Sequence, residues 1–196
     1  MNNSRISIRN LTVTAIMAAV SAVLMYLEFS VPLVPSFLKF DFSDLPALIT
    51  SFSLGPTWGV IVELIKNVIH LPLTHTSGAG ELANFIIGSC LAFFAGAVYK
   101  KHKNRRGALI GVLVGALVAT VASIPVNYFI TYPVYAAVFA PMDVIIGMYS
   151  AILPSANTLI KALLIFNAPF TFIKGILCAA ITFAVYKKLS PIIKGI

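Results

Sequence analysis

The sequence predicts an all-α integral membrane protein with six transmembrane helices in one bundle and both termini in the cytoplasm. Three observations carry that prediction. Of 196 residues, 59% are hydrophobic and 10% are charged, against roughly 25% charged in a soluble domain. The mean hydropathy is +0.97. The charges gather in short clusters between apolar runs long enough to cross a bilayer. At about 20 residues per crossing, little is left for an extramembrane domain, so residues 1–196 read as one membrane domain.

The apolar runs follow in order. The first, Leu11 to Leu27, trails a positively charged start (Arg5, Arg9), but it is too long for the hydrophobic stretch of a signal peptide and further spans follow, so it reads as a retained helix. A loop from Glu28 to Phe42, broken by Pro32 and Pro35, leads to a short run, Leu45 to Leu54, stopped by Gly55-Pro56. The third, Trp58 to Leu71, ends at Pro72 and a polar stretch. The fourth covers Leu82 to Tyr99. The fifth, Gly107 to about Phe139, is expected to bend at Pro125 and Pro133, because proline removes a helix hydrogen bond and crowds the preceding turn. The sixth runs from about Lys161 to Tyr186. The second and third are short for a bilayer of about 30 Å, as tilted or incomplete helices around a cavity would be.

Charge sets the orientation. The net charge of +8 resolves into three basic clusters: Arg5 and Arg9; Lys100, Lys101, Lys103, Arg105 and Arg106; Lys187, Lys188 and Lys194. Six crossings put all three on one face, which the positive-inside rule makes cytoplasmic. Glu28, Asp41, Asp44, Glu81 and Asp143 fall on the other side. The basic excess is therefore a topology signal, and nucleic acid is not an expected partner.

Ionisable residues inside spans are costly, about 2.5–3.5 kcal/mol on insertion scales. Glu63 and Lys66 stand three apart on one helix and can pair. Lys161 is placed to reach the outer interface. Lys174 has no acid within helical reach and lies about 20 Å from the cytoplasmic end of its helix, so it is expected to serve a cavity or ligand. Amides converge on the same outer half: Asn84, one turn after Glu81; Asn127, after Pro125; and Asn167 and Thr171, on the helix of Lys174. A few polar groups inside apolar walls suit a small-molecule pocket, although buried amides also bond helix to helix. Phe37, Phe40 and Phe42 in the first loop suit a lid, whereas Tyr128, Phe129, Tyr132 and Tyr135 suit an interfacial aromatic belt.

Other chemistry is sparse. No P-loop, nucleophile elbow or zinc-protease motif occurs, so the chain is not expected to hydrolyse ATP itself. His70 and His75 with Glu81 have no metal-site spacing, and no metal is expected. Cys90 and Cys178 lie in apolar runs and read as small buried hydrophobes. On the first span, Ala15 and Ala19 overlap Ala18 and Ala22 at four-residue spacing, the pattern that allows close helix approach in lipid.

Four strings carry a resemblance: Phe40-Asp41-Phe42-Ser43-Asp44-Leu45-Pro46-Ala47-Leu48; Leu54-Gly55-Pro56 running into Lys66-Asn67; Gly80-Glu81-Leu82-Ala83-Asn84-Phe85; and Pro169-Phe170 followed by Lys174-Gly175. With these the chain resembles, over nearly its whole length, the substrate-binding S components of energy-coupling factor (ECF) vitamin transporters, and among them the riboflavin-specific members. The resemblance implies a six-helix, non-enzymatic subunit of the cell membrane that captures riboflavin from outside and works with a transmembrane T component and two cytoplasmic ATPases. Riboflavin would be cargo, with no cofactor. The alanine-rich face of the first helix, Ala15, Ala18, Ala19 and Ala22, would meet the T component. The ligand would lie beneath the first loop against Asn127, Lys174 and the loop residues Leu38, Phe40, Asp41 and Phe42, with Glu81, Asn84, Asn167 and Thr171 as further contacts. Relatives often carry Asn three residues before the final-helix lysine, where this chain has Thr171, one donor fewer. The residues alone also admit an S component for thiamine or pantothenate, or a membrane-embedded enzyme using Glu63 or His70. Acids at the mouth (Asp41, Asp44, Glu81) would repel a phosphorylated flavin.

Overall fold

The computed structural model describes residues 7–74 and 76–194, with side chains through residue 186. Arg5, His75 and the side chains of Lys187, Lys188 and Lys194 lie outside the described residues.

The first span forms α1 (Ile8–Tyr26), close to the expected limits. The loop after it carries a minimal hairpin, β1 (Phe29–Ser30) with β2 (Lys39–Phe40), antiparallel with Phe29 opposite Phe40. Next come α2 (Asp44–Leu54) and α3 (Pro56–His70). Gly55, at φ 120°, turns the chain between them in a backbone conformation that side chains disfavour, and Pro56 then supplies a preset first turn of α3. The two helices fold back on each other: a Cβ on Gly59 would lie 2.8 Å from the Ala47 carbonyl oxygen. Their connection packs on α4 (Ala79–Lys101) at Gly96, against which Ser51 and Pro56 lie.

Asn104 caps α5 (Arg105–Val126), its Oδ1 accepting the Gly107 amide at 2.7 Å. The fifth rod then passes through a π turn at Asn127–Thr131 into α6 (Tyr132–Val138), and the whole of Arg105–Val138 is apolar enough to cross a membrane. A short helix follows, α7 (Met142–Ile152), then α8 (Leu159–Ala162), a second π turn (Leu163–Asn167) and α9 (Ala168–Lys194).

The two π turns share one cause. Pro133 and Pro169 each stand two residues past a π turn, lack the N–H that would bond four residues back, and press on that carbonyl. The wider turn moves it aside, and the bonds that close the turns run from Tyr132 N to the Asn127 carbonyl and from Ala168 N to the Leu163 carbonyl. The expected bend of the fifth span is thus a widened turn between its two prolines. Each π turn contains one of the asparagines singled out from sequence.

Among the described residues, four helices are long and apolar enough to span a bilayer: Ile8–Tyr26, Ala79–Lys101, Arg105–Val138 and Leu159–Tyr186. The expected second and third spans are the shorter α2 and α3. Helix α7 was missed by the sequence reading, although Pro141 and Pro154 bracket its apolar run.

Helices α4 and α5 pack closely because Gly111 and Gly115 bring α5 onto α4: added Cβ atoms there would lie 2.6 Å from the carbonyl oxygens of Ala95 and Leu91. The main apolar core joins α2, α4, α5 and α9 through Leu48, Phe52, Leu91, Val112, Ala116 and Cys178. A second cluster sets Tyr132, Ile145, Tyr149 and Phe166 together, and a third packs Ala18 of α1 with Ala47, Val62 and Ala92. Cys178 is buried and Cys90 partly so, both free. The alanine face of α1 is therefore divided. Ala15 and Ala19 are exposed, whereas Ala18 and Ala22 are 0% and 4% exposed. At 3.6 residues per turn the two pairs lie on adjacent stripes, and only the first is exposed. That narrows the four-residue face expected from sequence.

Candidate functional site

The segment Asp41–Asp44 is tied by side chains to α1, α3 and α9. Ser21 of α1 donates from its hydroxyl to the Ser43 carbonyl. Lys66 of α3, fully buried, donates to Asp44 Oδ1 at 2.6 Å and to Ser43 Oγ at 2.9 Å, and lies 2.7 Å from Glu63 Oε2. Lys174 of α9 lies 2.9 Å from Asp41 Oδ2 and 3.5 Å from Asp44 Oδ2. Asp41 Oδ1 accepts the Ser43 amide at 2.8 Å. Three carboxylates and two ammonium groups are thus held in one low-dielectric knot, each charge faced by an opposite one, as buried ions require.

Both lysines gain partners from other elements. Lys174, unpaired along its own helix, is paired with acids from the first loop and α2. The Glu63–Lys66 pair forms as expected, and Lys66 serves Asp44 as well. Behind Glu63 stands Gly88 of α4, where a Cβ would collide with the Glu63 carboxylate. Glycine is what gives that carboxylate room.

Two cavities meet around the knot. The larger, about 430 Å³, opens beneath the first loop and is walled by Phe37, Leu38, Lys39 and Asp41 from the loop, with His70, Glu81, Asn84, Tyr135 and Lys174. The smaller, about 140 Å³, lies between α4, α5 and α9 and is walled by Asn84, Asn127, Asn167, Thr171 and Lys174, with Leu38, Leu91 and Phe170. Leu38, Asn84 and Lys174 border both. A pocket with a wide mouth and a narrow apolar floor, edged by amides, suits a ligand with a flat ring and a polar tail.

Eight of the ten expected ligand contacts therefore converge. Leu38, Asn84 and Lys174 are shared, Asp41 and Glu81 belong to the larger cavity, and Asn127, Asn167 and Thr171 to the smaller. Phe40 and Phe42 do not face either. They pack at tilted angles on Phe29, and Phe40 also meets Phe170 edge-on, on the wall of a separate apolar groove on the flank of α9. The loop phenylalanine that faces the larger cavity is Phe37, whose edge packs on Tyr132, Tyr135 and Tyr149.

Two polar clusters frame the cavities. Asn167 Oδ1 accepts the Tyr149 hydroxyl at 2.8 Å, and its Nδ2 donates to the Tyr132 oxygen at 3.0 Å. Tyr132 and Tyr149 also bond to each other. Tyr132 is therefore buried, in place of the membrane-belt position expected for it; Tyr128 and Phe129 are exposed. At the mouth, Glu81 accepts from Thr74 at 2.8 Å and Thr76 at 3.0 Å and lies 2.9 Å from His70 Nδ1. With Asp41 facing Lys174, Asp44 facing Lys66 and Glu81 facing His70, the acids expected to repel a phosphorylated flavin are each neutralised or hydrogen-bonded. Among the described residues no cluster of side chains could hold a metal ion.

Sequence and fold place the chain among known proteins. Residues 9–186 match the family described as "ECF transporter, substrate-specific component". The chain is 29% identical to the riboflavin transporter RibU of Staphylococcus aureus, over 96% of this chain and 94% of that protein. It is 30% identical to the riboflavin transporter FmnP of Bacillus subtilis, over 94% and 93%. A solved structure of the S component of a bacterial ECF transporter superposes with a TM-score of 0.74 at 29% identity, covering 94% of this chain and 97% of that one.

Proposed function

Since the chain belongs to the family of substrate-specific components of ECF transporters, we propose that it is the riboflavin-binding membrane subunit of such a transporter. The observation that carries the reading is the shared wall of Leu38, Asn84 and Lys174, which joins a narrow amide-edged floor to a wide polar mouth. Riboflavin has a matching form: a flat tricyclic ring with an apolar dimethylbenzene end and a hydrogen-bonding pyrimidine edge, and a polyol tail. The ring takes the floor, with Leu38, Leu91 and Phe170 against its faces and Asn127, Asn167, Thr171 and Lys174 along its polar edge. The tail takes the mouth, near Asp41, Asn84 and Glu81. Phe40 and Phe42 hold the loop down from outside the pocket.

In this reading the mouth faces outward and both termini are cytoplasmic, because the basic clusters Lys100–Arg106 and Lys187–Lys194 then lie on the inner face. The six crossings are α1, α2, α3, α4, the rod from α5 through α6, and the rod from α8 through α9. The chain carries no ATP-binding motif, so energy comes from partners: a T component and two ATPases, with the exposed Ala15 and Ala19 stripe as the docking face.

The test is direct. The chain purified in detergent should carry or take up riboflavin near one per chain, seen as flavin absorbance, and thiamine should not displace it. No binding at micromolar riboflavin would sink the reading.

A further inference from the structure

We propose that Lys66, which borders neither of the two cavities, is a positioning residue for the ligand site, fixing through Asp44 where the Lys174 ammonium stands. This rests on the riboflavin reading above and adds a residue to that site. An ammonium group has three N–H donors and no acceptor. Lys66 donates to Ser43 Oγ at 2.9 Å and to Asp44 Oδ1 at 2.6 Å, and its ammonium lies 2.7 Å from Glu63 Oε2, so all of its neighbours are inside the knot. Lys174 donates to Asp41 at 2.9 Å and stands 3.5 Å from Asp44, which leaves donor capacity for the cavities its side chain borders.

Asp44 is shared unequally. Its close contact is with Lys66 and its loose one with Lys174, and this inequality lets Lys174 stand against Asp41 at the junction of the two cavities. Without Lys66, the whole charge of Asp44 is left to Lys174. In a buried site that attraction is strong, and it draws the ammonium toward α2 and away from both Asp41 and the ligand. Lys66 thus acts on ligand binding without touching ligand, and its effect passes through one carboxylate.

The experiment compares riboflavin titrations of the wild-type chain, Lys66→Met/Glu63→Gln, and the same double variant with Asp44→Asn, each with thermal unfolding alongside. The double variant removes the α3 ion pair as a unit, so no orphan charge stays on that helix. Its riboflavin affinity should fall roughly tenfold or more, and adding Asp44→Asn, which keeps the shape of that side chain on the wall of the smaller cavity, should return it to within roughly threefold of wild type. Wild-type affinity in the double variant overturns the proposal. So does a triple variant as weak as the double, or one that regains thermal stability without affinity, since Lys66 would then act by packing alone. If the double variant does not fold, Lys66→Gln/Glu63→Gln takes its place, keeping polar side chains at both positions but leaving the charge of Asp44 to Lys174: a roughly tenfold loss of affinity supports the proposal and wild-type affinity overturns it. A wild-type chain that binds no riboflavin is a separate result, which removes the riboflavin reading and this proposal with it.

Discussion

Lys174 Nζ lies 2.9 Å from Asp41 Oδ2, although the two residues are 133 positions apart. The contact joins the first loop to the last helix across the wall of the larger cavity, so one side chain both borders that cavity and holds the loop that walls it. Replacing Lys174 by Met leaves Asp41 without its cation, and truncating one side of a buried pair costs about 3–5 kcal/mol. Lys174→Met should therefore lower thermal stability and abolish tight riboflavin binding together. Asp41→Asn/Lys174→Met separates the two effects: it should regain much of the stability, while affinity stays down by roughly tenfold to a hundredfold, the worth of a hydrogen bond from a charged donor. Thermal unfolding in detergent and riboflavin titration of the same samples give both readouts.

Gly88 sits where a side chain would strike the Glu63 carboxylate, in a buried region with no slack. Gly88→Ala should destabilise the chain by about 1–3 kcal/mol, the usual cost of overpacking, by pushing Glu63 off Lys66. Gly147→Ala is the control, because nothing lies within 4 Å of the position its Cβ would take. In α7, alanine should be neutral or stabilising by up to about 1 kcal/mol. Equal unfolding temperatures for the two variants would mean that the Glu63 contact carries no strain.

The Tyr149 hydroxyl donates to Asn167, and both groups are buried. Tyr149→Phe keeps the ring packed on Phe37 and Phe166 but leaves the amide oxygen short of its donor, at a cost of about 1–3 kcal/mol. The variant should unfold earlier. Because the same bond orients an amide on the wall of the smaller cavity, riboflavin affinity should fall as well. Tyr128→Phe, at an exposed position, should change neither.

The long spans were legible because bilayer thickness writes itself into sequence as apolar runs of fixed length, and their limits fell within a few residues of the helices. The polar members of the site were legible for the opposite reason: Asn84, Asn127, Asn167 and Lys174 are costly in a membrane and so stand out. Their partners were not legible. The reach of a side chain along its own helix is three or four residues, whereas Asp41 comes to Lys174 only through the fold of the whole bundle. The π turns were hidden for a related reason, since proline announces a disturbed helix without saying whether it bends or widens. The glycine spacing at Gly107, Gly111 and Gly115 was visible in the sequence and went unread, though it brings α4 and α5 into contact.

The divided alanine face of α1 gives the sharpest test of how the subunit docks. Ala15 and Ala19 are exposed, so a bulky side chain there projects from the bundle and disturbs nothing within it. Ala18, at 0% exposure, packs with Ala47, Val62 and Ala92, so the same change there has no space to enter. Ala15→Trp and Ala19→Trp should bind riboflavin with wild-type affinity and unfold at the wild-type temperature, yet fail to support riboflavin uptake in cells supplied with the partner subunits. Ala18→Trp should lose stability by about 1–3 kcal/mol and lose binding with it. Normal uptake by both exposed-stripe variants would mean that partners dock elsewhere, and loss of riboflavin binding in either would mean that α1 shapes the pocket through its outer stripe.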